Sequence, residues 1–81
     1  MNDKARLRSA ARELAALRGE LAEVSDELHC AYRAFNAAVE DDLIYSSIYE
    51  INMLRARHTY ILRKIKQLGA PRPEPLEENG E

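Results

Sequence analysis

Apolar residues recur along the first half of this chain with a seven-residue beat. Leu7, Leu14, Leu21, Leu28 and Phe35 form one series, and Ala10, Leu17, Val24, Ala31 and Ala38 form a second, three residues later. Together they supply the a and d positions of five heptads. A helix with that pattern carries one narrow apolar stripe, which is satisfied by packing against another helix. Ala, Leu, Arg and Glu dominate this stretch, and all are strong helix formers. Glycine and proline are nearly absent before residue 69. The one interruption, Gly19, costs a helix about 1 kcal/mol against alanine and falls at the outermost f position. These features predict a first helix over about residues 4–38, ~50 Å long at 1.5 Å per residue.

The second half carries its own alternation of fours and threes: Ile44, Ile48, Ile51, Arg55, His58, Leu62 and Ile65. If the chain folds back near residue 40, facing residues should have numbers with a constant sum. Phe35/Ile44, Ala31/Ile48, Leu28/Ile51, Val24/Arg55, Leu21/His58, Leu17/Leu62 and Leu14/Ile65 all sum to 79. This sets helix 1 a positions against helix 2 d positions. The break is expected within Asn36–Asp42, with a turn at about 39–41. Asp41 is the expected N-cap, and Asp42 is well placed against the dipole of the second helix. Helix 2 should run over about 42–68, with Gly69 as C-cap and Pro71 preventing continuation. The expected fold is therefore all-α: an antiparallel two-helix, coiled-coil-like hairpin.

Two helices cannot enclose a core between them. The chain has 81 residues, and its last thirteen, 69–81, hold all three prolines and an excess of acidic groups. That segment reads as a disordered acidic tail. Units this small are usually completed by a disulfide, a metal or oligomerisation. Cys30 is the only cysteine, which excludes an internal disulfide and suits a reducing cytoplasm. No apolar run is long enough to span a bilayer, and no signal-peptide pattern is present. Oligomerisation is left, and a homodimer forming a four-helix bundle is the simplest form.

The second helix has apolar surface to spare for such a contact. Leu43, Leu54, Ile61 and Leu68 widen its stripe on one flank. Tyr45, Tyr49, Met53, Ala56 and Tyr60 lie on the opposite side at 100° per residue, and Tyr32 of the first helix lies near the turn. One reading has the tyrosines flat on the surface with their hydroxyls in water. The other makes this face an interface with a second copy or another protein.

The net charge of −2 conceals a strong segregation. Residues 1–18 carry five basic and two acidic groups, and residues 19–50 carry one basic and eight acidic. Residues 51–68 carry five basic and none acidic. Folding back makes a dipolar rod, with Lys4, Arg6, Arg8, Arg12, Arg57, Arg63, Lys64 and Lys66 toward its open end. Cations at 64 and 66 suit a helix C-terminus. Lys4, Arg6 and Arg8 sit at a helix N-terminus, where cations are disfavoured. The basic end could meet nucleic acid or an acidic membrane surface, a second rod head-to-tail, or the chain's own acidic tail. A plain solvated charged surface is the alternative, and no nucleic-acid-binding motif accompanies the charges.

Few residues suggest chemistry. Arg55 and His58 are the polar members of the second seam, where polar layers fix register; Arg55 could lay its stem on Val24 and reach Glu20, Glu23 or Glu27. Asp26 and His29 make a single acid–imidazole pair at helical spacing, whereas a di-iron bundle needs Glu-x-x-His on two helices with further carboxylates. Cys30 has no basic flank or partner motif. With no phosphate-binding glycine loop and no Ser/His/Asp grouping, the expectation is a non-enzyme without metal, cofactor or small-molecule substrate.

The stretch Ala34–Gln67 resembles the YaaL-like family, short Firmicutes proteins of unknown function. The likeness rests on Phe35-Asn36 before the turn, Asp41-x-Leu43-Ile44, Ile48-Tyr49 and Ala56-Arg57-x-x-Tyr60-x-Leu62. It covers under half the chain. Asp42 stands where the family commonly has proline, and His58 where it commonly has an aromatic residue. The family brings no catalytic residues, and its genes tend to lie near those for recombination repair and sporulation control.

Overall fold

The computed structural model describes residues 3–69, which form two helices and a short connection. Helix α1 spans Asp3–Ala37 and α2 spans Asp41–Gly69. They pack against each other as a hairpin.

Each boundary has a local cause. At the end of α1, the Ala38 N–H donates to the Phe35 carbonyl at 3.2 Å, a tight closing turn. Val39 is 85% exposed. The Ile44 N–H then donates to the Glu40 carbonyl at 3.0 Å. Glu40 thus opens the second hydrogen-bond ladder, the role of an N-cap. The expected cap, Asp41, is instead the first residue inside α2, and Asp42 is the second. Both carboxylates lie in the first turn, where the helix dipole favours them. Gly69 is the last residue of α2 rather than the first beyond it. The rest of the expected tail, 70–81, lies outside the described residues.

The buried side chains are Leu17, Val24 and Ala31 on α1, and Ser47, Ile51, Leu54 and Ile61 on α2. Leu21, Leu28, Ile65 and Leu68 pack half-buried against them. Three of the α1 residues mirror three of α2 about the connection. Leu17, Val24 and Ala31 precede Val39 by 22, 15 and 8 residues, and Ser47, Leu54 and Ile61 follow it by 8, 15 and 22. Ala31 and Ser47, the small members, lie nearest the turn, where a three-residue connection draws the backbones together. Leu7 is exposed.

This arrangement corrects the register of α2 while leaving that of α1 in place. Ile44, Ile51, His58 and Ile65 stay in the seam, as a positions. The other series is Ser47, Leu54, Ile61 and Leu68, one residue earlier than Ile48, Arg55 and Leu62. The d positions of α1 therefore face d positions of α2 at equal distances from Val39, and a positions face a positions one residue further along α2, in place of a against d. Ile48 and Leu62 are 39% and 37% exposed, and Arg55 is in solvent. Leu54 and Ile61, expected to widen a flank, are core residues, and Leu68 packs half-buried against the core. The reason is the cost of an enclosed charge. Desolvating a guanidinium is costly even where a carboxylate is in reach, whereas turning α2 by one position places Leu54 inward. The same turn brings in Ser47, a small hydroxyl that is far cheaper to enclose.

Adjacent residues test the register. Ile61→Ala should destabilise the protein by about 2–4 kcal/mol, while Leu62→Ala should cost less than half as much. Leu54→Ala should likewise be costly, and Arg55→Ala should stay within about 0.5 kcal/mol of wild type. Urea denaturation followed by circular dichroism at 222 nm reads all four.

Candidate interaction surface

The α2 heptads now give each surface residue an address. Asp42, Tyr49, Ala56 and Arg63 occupy f positions, directly opposite the seam, and Ser46, Met53, Tyr60 and Gln67 occupy the neighbouring c positions. Tyr45 stands on the other side of this row, at b. All five residues of the expected interface, Tyr45, Tyr49, Met53, Ala56 and Tyr60, are exposed. Tyr49 is the most open of the large ones at 77%. The Ser46 hydroxyl donates to the Leu43 carbonyl at 3.4 Å, one turn back along its own helix. The Lys64 ammonium lies 6.0 Å from the centre of the Tyr60 ring, at the outer limit of a cation–π contact.

A second apolar flank follows from the corrected register. Ile48 and Leu62 lie at e positions of α2, and Tyr32 lies at e on α1, beside Phe35 at a. In an antiparallel pair the e positions of the two helices border the same side of the seam. Ile48, Leu62, Tyr32 and Phe35 are all partly exposed there. The sequence reading had assigned Ile48 and Leu62 to the core and so missed this edge. The signal was present in the alternative series 47, 54, 61 and 68. Leu43 is exposed on the opposite, g side.

The basic residues fall as the charge count implies, along the half of the hairpin remote from the turn. Lys4, Arg6, Arg8, Arg12, Arg57, Arg63 and Lys66 are exposed, and Lys64 is half-buried. Arg6, which had no structural explanation in the sequence, donates to the Asp3 carboxylate at 2.8 Å one turn before it. Both side chains are open to solvent, so the pair is weak. It is the one ion pair within 4.0 Å among the described residues.

Of the two expected polar core residues, His58 remains half-buried in the seam and Arg55 lies outside it. The Arg55 guanidinium makes no ion pair with Glu20, Glu23 or Glu27. Cys30 is exposed. Among the described residues, no three His, Cys, Asp or Glu side chains come together as a metal-holding group, and no pocket opens. No helix among them is long and apolar enough to cross a membrane. The features available to a partner are thus surfaces: the outer face of α2, the edge at Ile48 and Leu62, and the basic half of the rod.

No family model, curated protein or solved structure matches this chain.

Proposed function

We propose that this chain is a non-enzymatic helical module that self-associates, as a homodimer of hairpins completing a four-helix assembly, and serves in the cytoplasm as an interaction or adaptor element. The exposed aromatic face of α2 carries this reading. Tyr45, Tyr49, Met53 and Tyr60 are each more than half exposed along one side of one helix. Large apolar side chains in such a row usually mark a contact surface.

The thinness of the core supports the same reading. Six apolar side chains are buried, five of them large enough to stabilise the fold by about 1.5–3 kcal/mol each, and they serve helices of 35 and 29 residues. A unit with so small a core is stabilised by any further face it buries. A relationship to the YaaL-like proteins is part of this proposal and is consistent with it, since that family brings no catalytic residues.

Sedimentation equilibrium of the full chain at micromolar concentration should give a dimer. A folded species that stays strictly monomeric would falsify the proposal. Tyr49→Glu should raise the dimer dissociation constant by about tenfold or more, the effect of placing a charge in an aromatic contact, while leaving the helical signal intact at concentrations where the wild type is dimeric.

The segregated charge favours a second reading, in which the basic half of the rod binds an anionic surface such as nucleic acid or acidic lipid. Binding of a short DNA duplex or of phosphatidylserine vesicles should then fall steeply with salt. It should also fall when Arg6 and Arg8, or Arg63 and Lys64, are reversed to Glu. Affinity indifferent to both changes excludes this reading.

A further inference from the structure

The outer face of α2 is complementary to itself when a second copy runs antiparallel to it. We infer that two copies pair through this face, with the two-fold axis passing beside Met53. The inference rests on the self-association proposed above and adds its face, its direction and its centre.

Three observations carry it. The first is spacing. Ser46, Tyr49, Met53, Ala56 and Tyr60 alternate by three and four residues, so the c and f positions form a second seam on the back of α2. All five are exposed.

The second is shape. About a two-fold at Met53, large residues fall opposite small ones. Tyr49 meets Ala56 of the other copy, Tyr60 meets Ser46, and Met53 meets its own counterpart. Each pair stands at equal distances, to within one residue, on either side of Met53. Alternating large and small side chains interdigitate across a helix pair, and methionine adapts well to a site on the axis. The Ser46 hydroxyl already has an acceptor in its own helix, the Leu43 carbonyl, so covering it leaves no stranded donor.

The third is charge. From Asp41 to Asn52 the charged residues of α2 are Asp41, Asp42 and Glu50, all acidic. From Met53 to Gly69 they are Arg55, Arg57, Arg63, Lys64 and Lys66, all basic. An antiparallel partner brings Arg63 over Asp42 and Arg57 beside Glu50, and the symmetry makes each contact twice. A parallel partner would set acid on acid and base on base, with a cost of like-charge contact at both ends. The c and f positions look away from α1, so each α1 lies on the outside and the two α2 helices form the centre of the assembly.

Disulfide trapping in the full chain tests the geometry. Cys30→Ser removes the native thiol, and one cysteine is then added per variant. Met53→Cys should give a covalent dimer in mild oxidant, because the two Cα atoms lie near the axis. Tyr45→Cys should not, since eight residues on each side of Met53 place its two copies roughly 24 Å apart at 1.5 Å per residue, far beyond the ~7 Å limit for a disulfide. As a second arm, Tyr49→Cys and Ala56→Cys chains should cross-link when mixed and not separately. Cross-linking by both Met53→Cys and Tyr45→Cys would mean a parallel pair and would overturn the inference. A dimer by sedimentation in which neither Met53→Cys nor the mixed pair cross-links would overturn it too, with self-association intact. A monomer by sedimentation would remove both.

Discussion

The hairpin depends on a single narrow seam, and the register of that seam depends on one charge. Half of the α2 contribution is settled, because Ile44, Ile51, His58 and Ile65 fit either phase. The other half is a choice between Ile48, Arg55 and Leu62 and their predecessors Ser47, Leu54 and Ile61. By apolar area alone the two sets are close. Drawing a guanidinium into the seam decides between them, since desolvating a charge costs more than covering a serine hydroxyl. Every surface address on α2 follows from that rotation of one position.

The rotation also redistributes what is left for a partner. With Leu54 and Ile61 inside, Ile48 and Leu62 move to the edge of the groove, where Tyr32 and Phe35 join them. Tyr49 and Ala56 come to lie directly opposite the seam, and Met53 and Tyr60 beside them. Two helices have no other way to shelter these groups, because each side chain of a two-helix unit lies at most one layer from water. The surplus apolar surface is therefore a consequence of the architecture.

Charge acts on a longer scale than the seam. The acidic and basic residues make few close pairs: the intrahelical Arg6–Asp3 contact is exposed and weak. Their segregation instead gives the rod a polarity, negative toward the turn and positive toward the open end. A polarity of this kind contributes little to folding, but it discriminates strongly between orientations of an approaching partner.

Much of the fold was legible in the residues themselves. Helix formers, a heptad series in each half and acidic residues ahead of α2 were enough to place two antiparallel helices and a turn, since each of these is a local or periodic property. The α1 seam was readable because its flanks, apart from Tyr32, are polar or alanine, so one phase stands out. The α2 seam was not, because leucines and isoleucines stand side by side at 43–44, 47–48 holds serine before isoleucine, and 61–62 again offers two apolar residues. Periodicity cannot rank adjacent phases that are both apolar. Packing can, because only one phase meets α1 while keeping Arg55 in water. The same limit applied to the cap: Asp41 has the better side chain, yet the carbonyl that opens α2 belongs to Glu40, because the three-residue connection sets where the second helix begins. The sequence alone determined that there are two helices and that they return on each other. Only the tertiary structure decided which side of α2 faces inward, since that depends on the cost of burying each candidate against its actual neighbours.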